Sequence, residues 1–395
     1  MMRRRNWLGL LFFVFFSITA CAQKPLITAF YYPGARRLTT LDLSLNKGAI
    51  SHLDVLIYSA SVQGLRPNGR HYSLPNVTRY NLHFIAQWLR KQKMQTKLIL
   101  SLGYWNPAAM RHTITRPADR QRFVSSIINT LQNRYYGLDG IDIDWENVYG
   151  PVSHEITRFP LFIRALNQAM KQHGLQHDLL TLDIPSNFIA KFPAPSQWAP
   201  YVNWANLMGY EFYGDTLTYT ELDGAFGNVT VRYNGKPPRY PIIALVTSLK
   251  QYQQLGLPPN KLVVVLRDYA FSNHVRSTSR LFYAGLHQRI IGRHDVTVYP
   301  YWKLVLMAGT YGHTKHGYQA HRYRFKTPAA AKGFSAYWMT KGHRFISYPD
   351  PIAIKEITHY LVAQHYRGIS IWELSDALKF HNSASLLSII VNAAQ

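Results

Sequence analysis

Asp139-Gly-Ile-Asp-Ile-Asp-Trp-Glu146 is the stretch that decides the fold, because it predicts a buried strand with acidic side chains on one face. Side chains alternate between the two faces of a strand, so Asp142, Asp144 and Glu146 point one way and the apolar residues between them point the other. A strand that is covered on both faces is normally a continuous apolar run, and burying a carboxylate without partners is costly. The acids are therefore expected to carry chemistry.

The three carboxyl groups on that face define a candidate catalytic site. Carboxylates stacked a few ångströms apart cannot all ionise, so they should share protons, and the pKa of the last one should rise. This makes Glu146 a candidate general acid. Two alternatives remain open: a solvated edge strand, and a divalent-metal site, although hard cations usually recruit loop oxygens and waters. The apolar Ile141, Ile143 and Trp145 opposite the acids favour helices packed behind the strand.

The pattern Asp-x-x-Asp-x-Asp-x-Glu at the end of a strand resembles the active-site motif of the family 18 glycoside hydrolases, the chitinases. The resemblance implies that Glu146 is the acid/base, that Asp144 orients the acetamido group of the substrate, and that Asp142 shares a proton with Asp144. It also implies an α/β fold, the TIM (β/α)8 barrel, in which catalytic groups lie at the carboxyl ends of the strands. No metal ion or organic cofactor is implied.

Short apolar runs alternate with amphipathic segments along most of the 395 residues, as expected of repeated βα units around a parallel sheet. The predicted barrel strands are 26–32, 55–59, 97–105, 139–146, 179–185, 202–213, 261–270 and 368–376. The predicted barrel domain covers residues 23–270 and 345–395. Residues 271–344 interrupt the rhythm and resemble, by position and size, the small α+β insertion that deepens the cleft in many chitinases.

Two further segments match the family pattern near the predicted acids. Ser101 matches the first residue of the family's Ser-x-Gly-Gly, whereas Tyr104 replaces its second glycine. Trp105 matches an aromatic residue beside the scissile bond, with core packing as the alternative. Met208-Gly-Tyr-Glu211 corresponds to the family's Met-x-Tyr-Asp, and the resemblance gives Tyr210 a hydrogen bond to the acetamido oxygen that strengthens near the transition state.

Trp372 ends the last predicted strand and is similar to the family tryptophan that forms the floor of the central sugar subsite. Its flat apolar face suits a pyranose ring, although a strand-end tryptophan can equally belong to the core. Tyr269 is retained in the seventh segment, where Arg267 and Ala270 replace a usual proline and glycine. Residues 214–240 are a candidate substrate wall or an ordinary surface loop. The predicted substrate-binding residues are Trp372, Trp105, Ser101, Met208, Glu211, Tyr269 and Asp139.

Residues 1–22 have the pattern of an export signal, with three arginines, an apolar run from Trp7 to Ile18, and small residues after it. The run is too short for an expected membrane span. Ile18-Thr-Ala-Cys21 resembles a bacterial lipobox, which would place a lipid on Cys21, while Ala20-Cys21-Ala22 fits an ordinary small-x-small cleavage site. Cys21 is the only cysteine, so we expect no disulfide, in an exported bacterial protein that is either lipid-anchored or secreted.

The formal net charge of the chain is +24 at pH 7, and much of the excess falls in the predicted insertion. Between residues 271 and 348, twelve Lys and Arg residues stand against one acid, Asp295. Such a surface attracts anionic partners at moderate salt, or it only keeps the protein soluble. No signature of specific nucleic-acid recognition is present.

Taken with the resemblance, the sequence predicts a hydrolase of β-1,4-linked N-acetylglucosamine polymers that retains anomeric configuration by a substrate-assisted route. Two alternatives stay open. The first is a hydrolase of another N-acetylglucosamine glycan, such as peptidoglycan or an N-linked oligosaccharide. The second is a chitin-binding lectin, which the presence of Glu146 disfavours because lectins of this family have lost the acid.

Overall fold

The strands and helices come from a computed structural model that describes residues 24–60, 66–68, 71–103, 115–145, 156–187, 189–212, 219–222, 224–227, 244–278, 284–291, 297–308, 316–325 and 332–395. The strands are β1 Leu26–Tyr31, β2 Val55–Ala60, β3 Arg66–Asn68, β4 His71–Ser73, β5 Lys97–Gly103, β6 Gly140–Asp144, β7 Leu179–Pro185, β8 Trp204–Met208, β9 Leu262–Arg267, β10 Tyr269–His274, β11 Thr297–Pro300, β12 Gln319–Arg324, β13 Ser335–Lys341, β14 Arg344–Tyr348 and β15 Gly368–Trp372. The helices are α1 Thr40–Leu45, α2 Lys47–Ile50, α3 Asn76–Lys91, α4 Pro117–Gln132, α5 Phe159–Gln172, α6 Leu245–Gln254, α7 Tyr301–Ala308, α8 Pro351–Ala363 and α9 Leu386–Ala393.

Eight parallel strands close into a barrel in the order β1-β15-β9-β8-β7-β6-β5-β2. Each of them overlaps one of the eight predicted strand segments, so the predicted TIM barrel is confirmed. Strand β6 lies between β5 and β7 and every one of its residues is buried, which excludes the alternative of a solvated edge strand.

The apolar face of β6 packs against the helical layer, as the alternation predicts. Ile141 and Ile143 are fully buried in the outer core, and the ring of Trp145 lies 4.8 Å from that of Phe159 at the start of α5. Fully burying side chains of this size stabilises the fold by roughly 1.5–3 kcal/mol each. The opposite face of the strand is left for the acids, inside the barrel.

Gly140 and Gly368 allow neighbouring barrel strands to approach where a side chain would not fit. A Cβ atom at Gly140 would lie 2.3 Å from the carbonyl oxygen of Leu179, and one at Gly368 would lie 2.3 Å from that of Leu26. Because both obstructing atoms belong to the backbone, neither can move without shifting a strand. These two glycines therefore allow β6 to lie close to β7, and β15 to lie close to β1.

The part of the chain that follows β9 and precedes α8 forms a separate antiparallel sheet. Its five strands have the order β11-β10-β14-β13-β12. Its strands span Tyr269–Tyr348, and the predicted insertion of residues 271–344 falls within that span. The bounds of the predicted domains stay a prediction. One detail differs from the expected seventh strand: β9 ends at Arg267, and Tyr269 instead pairs with Pro300 at the start of the antiparallel sheet.

Several predicted features lie outside the described residues: the export signal with Cys21, residues Tyr104, Trp105 and Glu146, and most of the stretch 214–240. In the part of the chain that the structure does describe, no helix is long and apolar enough to cross a bilayer.

Candidate active site

Asp142 is the best-anchored acid inside the barrel. Its side chain is fully buried and accepts hydrogen bonds from Ser101 Oγ at 2.8 Å, Thr181 Oγ1 at 2.5 Å and Asn206 Nδ2 at 3.1 Å. The three donors come from β5, β7 and β8, so the carboxyl group ties four strands together. Hydrogen bonds to a carboxylate are stronger than neutral ones, which fixes its orientation.

The amide of Asn206 is itself oriented by Trp204, two residues earlier on the same face of β8. The indole Nε1 of Trp204 donates to Asn206 Oδ1 at 2.9 Å. Because an indole nitrogen can only donate, this bond occupies the amide oxygen and leaves the amide nitrogen directed at Asp142. The contact between Asn206 and Asp142 therefore depends on a chain of three hydrogen-bonded side chains, Trp204, Asn206 and Asp142, which runs from β8 to β6.

Two opposing effects set the pKa of Asp142. Burial disfavours the ionised form and is the largest effect, whereas the hydrogen bonds from Thr181, Ser101 and Asn206 favour it. The result is a pKa raised from 3.8 to about 6. A carboxyl group with this pKa can gain or lose a proton near neutral pH.

Asp144 lies two residues nearer the carboxyl end of β6, on the same inner face as Asp142. It is 3% exposed and pairs in register with Gly103 of β5. The rise of a strand separates the backbone positions of these two aspartates by roughly 7 Å along the strand. The alternation in the sequence predicts Glu146 as the next acid on this face, and that residue is outside the described residues.

A further carboxyl group, which the sequence analysis did not single out, lies on β7. Asp183 is 5% exposed, pairs in register with Asn206, and shares the inner face with Thr181 two residues earlier. The signal was available in the sequence, since Leu-Leu-Thr-Leu-Asp-Ile-Pro also alternates polar with apolar residues. The inner face thus carries Asp142, Asp144 and Asp183 on two adjacent strands.

Tyr210 and Tyr269 meet at the carboxyl ends of β8 and β9. Their rings are almost perpendicular, with centroids 6.1 Å apart, and both side chains are buried. Gly209, just before Tyr210, donates its N–H to Val265 O at 2.9 Å, and a Cβ atom there would lie 2.8 Å from the same oxygen. A glycine at this position lets the chain turn inward, which brings Tyr210 into the inner cluster with Met208 and Trp372.

Glu211 is held beside this pair. Its backbone φ is 50°, in the left-handed region that side-chain-bearing residues rarely adopt, and the hydroxyl of Tyr269 donates to its Oε1. Strained backbone of this kind clusters at functional sites. The predicted residues Tyr210, Glu211, Tyr269 and Met208 are therefore close neighbours.

Trp372 ends β15 and is partly exposed. Phe30 packs at a tilt against its ring with centroids 5.2 Å apart, and Tyr32 stacks on it at 6.5 Å. Both neighbours come from the end of β1. The indole is thus supported by aromatic rings and keeps part of its surface open.

Two predicted substrate-binding residues are engaged in hydrogen bonds between barrel strands. Asp139 precedes β6, where its Oδ2 accepts from Leu98 N at 2.8 Å, five residues and roughly 16 Å of strand before Asp144. Ser101 is fully buried and donates to Asp142. Asp139 thus joins strands at the amino-terminal end of the barrel, and Ser101 positions an acid, while a substrate-binding role for either residue stays a prediction.

Arg267, which the sequence analysis noted only as a replacement for proline, is buried at the end of β9. Its guanidinium donates to Ser347 O at 3.3 Å and to Ser347 Oγ at 3.2 Å, and it lies 5.5 Å from the ring centroids of Tyr269 and Phe271. It therefore joins the barrel to the antiparallel sheet. No group of three or more His, Cys, Asp or Glu residues within the described ranges is arranged to hold a metal ion.

Comparison with known proteins agrees with this fold. The family model of the glycosyl hydrolases family 18 matches residues 29–377. Chitinase 1 of Aphanocladium album is 25% identical over 314 residues, which cover 76% of this chain and 66% of that protein, slightly less than two thirds of its length.

Two solved structures share the architecture. A family 18 N-acetylglucosaminidase from Paenibacillus barengoltzii has a TM-score of 0.72 at 20% identity, covering 93% of this chain and 99% of that one. A mutant class V chitinase from Nicotiana tobaccum in complex with NAG4 has a TM-score of 0.73 at 17% identity, covering 93% and 98%. At these identities the two structures demonstrate the common fold, whereas the family model extends over most of the chain. The chain belongs to the glycosyl hydrolases of family 18.

Proposed function

We propose that this protein hydrolyses β-1,4-linked N-acetylglucosamine polymers, chitin or chitooligosaccharides, with Glu146 as general acid and base. The observation that carries the proposal is the buried Asp142, fixed by three donors on the inner face of β6 beside Asp144. The names of two relatives support the substrate class, since one is a chitinase and another is a chitinase solved with NAG4.

In the proposed mechanism Glu146 protonates the glycosidic oxygen while the acetamido oxygen of the substrate attacks the anomeric carbon and the leaving group departs. Glu146 then removes a proton from water, which attacks the same carbon and opens the cyclic intermediate. This substrate-assisted route retains configuration without an enzyme nucleophile. Every bond that forms or breaks is accounted for by substrate, water and one carboxyl group.

The neighbouring residues act on the acetamido group in this proposal. Asp144 accepts from its N–H and so aligns the oxygen, and Tyr210 donates to that oxygen, a contact that gains strength in the transition state. Asp142 shares a proton with Asp144, for which its pKa of about 6 is suitable because the proton can move at little cost.

Aromatic residues near the acids would bind the sugar rings. Trp372 offers a supported and partly exposed indole face, and Trp105 is proposed beside the scissile bond. Met208, Glu211 and Tyr269 would form the adjoining wall, because they lie together around Tyr210.

The test of substrate class is a panel assay of wild type and Glu146→Gln on colloidal chitin, chitooligosaccharides, peptidoglycan and a high-mannose glycoprotein. We expect release of reducing ends from the first two substrates by wild type alone. Selective cleavage of peptidoglycan or the glycoprotein would support the rival glycan instead. Tight binding of chitooligosaccharides without hydrolysis by wild type would indicate a lectin.

We further propose that the protein is exported and carries a lipid on Cys21. Labelling of growing cells with a radioactive fatty acid should mark the wild type, and Cys21→Ser should lose the label and appear in the soluble fraction. A soluble, unlabelled wild type would instead support ordinary secretion.

We also propose that the antiparallel sheet and its loops attach to an anionic membrane surface. Exposed arginines of this region include Arg276, Arg289 and Arg324. Replacing these three by Gln should weaken sedimentation with vesicles of anionic phospholipid, and added salt should have the same effect. The matched control replaces three exposed barrel lysines, Lys47, Lys91 and Lys171, by Gln. Equal losses in both triple variants would contradict a localised surface.

A further inference from the structure

A second set of acids lies around the backbone that follows Trp372, and the proposed mechanism uses none of them. Asp268 follows β9, and Glu373 and Asp376 follow β15. Asp268 is fully buried and Glu373 is 6% exposed. Acids in such a place need a physical reason, because burial of a carboxyl group is costly.

Asp268 contacts the backbone on both sides of the Trp372–Glu373 peptide. Its N–H donates to Trp372 O at 2.9 Å, and its Oδ1 accepts from Glu373 N at 2.6 Å. Its own carbonyl oxygen accepts from Tyr301 N at 2.9 Å, at the start of α7 in the antiparallel layer. Asp268 therefore connects the barrel and the antiparallel sheet with the backbone that carries the Trp372 indole, which is called the platform below.

The carboxyl group of Glu373 supports the platform from the other side. Its Oε2 accepts from Tyr32 N at 2.8 Å and from Ser375 N at 3.3 Å. Tyr32 is the residue whose ring stacks on Trp372. The indole and the ring beside it are thus attached to the same pair of acids, Asp268 and Glu373.

The second oxygen of Asp268 indicates which form of this acid the site accommodates. Oδ2 is buried and has no hydrogen-bond partner among the described residues. The charged groups that act on the acid are Glu373 and Asp376, both negative when ionised, and the charge of Glu373 also acts on the buried Tyr31 of β1. The nearby Arg267 guanidinium is engaged with Ser347 instead. An ionised Asp268 would therefore be repelled and left unsatisfied.

The ionisation of the three acids follows from the same surroundings. Burial, and then the charges of Glu373 and Asp376, raise the pKa of Asp268 well above its usual value. Burial raises the pKa of Glu373 to about 7 and that of Asp376 to about 6. Near neutral pH Glu373 and Asp376 therefore pass from mostly protonated to mostly ionised, whereas the surroundings of Asp268 favour its protonated form.

We propose that Asp268, in its protonated form and together with Glu373, is a positioning residue that fixes the indole of Trp372 for sugar binding, and that ionisation of Glu373 as the pH rises loosens the platform. The inference rests on the proposed function in taking Trp372 as a sugar-binding surface. It adds a pH-dependent control of affinity that is separate from the acid/base chemistry of Glu146.

The first experiment measures binding of N-acetylchitotetraose by calorimetry between pH 5.5 and 9, with every variant in the Glu146→Gln background so that no sugar is cleaved. Asp268→Ala should weaken binding about tenfold at pH 6, because the platform loses its backbone acceptor. Asp268→Asn should restore it, since an amide resembles the protonated acid. Glu373→Gln should abolish the loss of affinity that the parent shows above pH 7.

Asp350→Asn is the matched control. Asp350 is also fully buried, has a pKa raised to about 6 by burial, and has a buried oxygen without a described partner, but it caps α8 through Ile352 N. Because asparagine also caps helices well, this variant should bind as the parent does. A pH profile that is the same in all variants, with Asp268→Ala within twofold of the parent, would overturn the proposal.

The second experiment needs no ligand. In protein labelled with 5-fluorotryptophan, the Trp372 resonance, assigned with Trp372→Phe, should move with pH around a midpoint near 7, and this movement should be absent in Glu373→Gln. A resonance that does not titrate would refute the positioning role whatever the sugar data show. A titrating resonance in a protein that binds no chitooligosaccharide would leave the positioning intact and would contradict the proposed function.

Discussion

Asp142 and Asp268 are both fully buried acids, yet their surroundings differ. Asp142 accepts side-chain hydrogen bonds from three neighbouring strands, whereas Asp268 accepts one backbone hydrogen bond and faces two further acids. The pKa of Asp142 is about 6, and that of Asp268 is raised well above its usual value. Because three side chains donate to Asp142, this acid can exchange a proton near neutral pH, whereas Asp268, with one backbone donor, is kept protonated.

The same substitution at both positions should sharpen this comparison. Asp142→Asn should lower kcat on chitooligosaccharides by on the order of 10²–10³-fold, because an amide cannot share a proton with Asp144. Asp268→Asn should keep kcat within about threefold at pH 6, since it mimics a protonated acid. Steady-state kinetics of the two variants, with circular dichroism to verify folding, measures the difference. Equal losses of kcat would mean that the two acids do not have separate roles.

Tyr210→Phe changes the candidate active site that contains Asp142, and it should have the next largest effect on kcat. Removing the hydroxyl should lower kcat about 10²-fold with a smaller change in KM, because the lost hydrogen bond is strongest in the transition state. Tyr360→Phe is a suitable control, since Tyr360 lies on α8 among Phe226, Phe334 and Tyr366, away from the acids. A change in KM alone would assign Tyr210 to substrate binding.

The pH dependence of stability should also reflect the buried acids. Asp142 has a folded-state pKa above its unfolded value, so its stabilising contribution is complete below about pH 4 and is lost as the pH rises through about 6. The free energy of unfolding of wild type should therefore fall, relative to Asp142→Asn, by roughly 3 kcal/mol over this window. Urea unfolding at pH 4, 5, 6 and 7 measures this difference. A wild-type curve parallel to that of the variant would show that Asp142 does not titrate in this range.

Much of the fold could be predicted because it depends on local alternation. The acids of β6, the apolar residues opposite them and the rhythm of βα units identify the barrel, and the interruption after β9 marks the antiparallel layer. Alternation also indicated the position of Asp139, which shares its side of the strand with Ile141 and Ile143 rather than with Asp142. The expectation for Asp139 came from the motif, which does not take account of strand faces.

The partners of the acids could not be predicted in this way. Thr181 and Asn206 reach Asp142 from 39 and 64 residues away, and Asp268 meets Glu373 across 105 residues. These contacts depend on the register between parallel strands, which the sequence of one strand does not determine. Local patterns can therefore identify an acid, but the fold decides whether that acid is anchored, as Asp142 is, or kept protonated, as Asp268 is.

The most direct test of the proposed mechanism is proton NMR of the first product released from a chitooligosaccharide by wild type, with Glu146→Gln as the matched variant. Wild type should release the β-anomer first, because double displacement at the anomeric carbon retains configuration. Glu146→Gln should still bind the sugar but should lose at least roughly 10²–10⁴-fold in turnover, the usual contribution of general acid catalysis. Initial release of the α-anomer, or turnover of Glu146→Gln within about tenfold of wild type, would contradict the assignment of Glu146 and the substrate-assisted route.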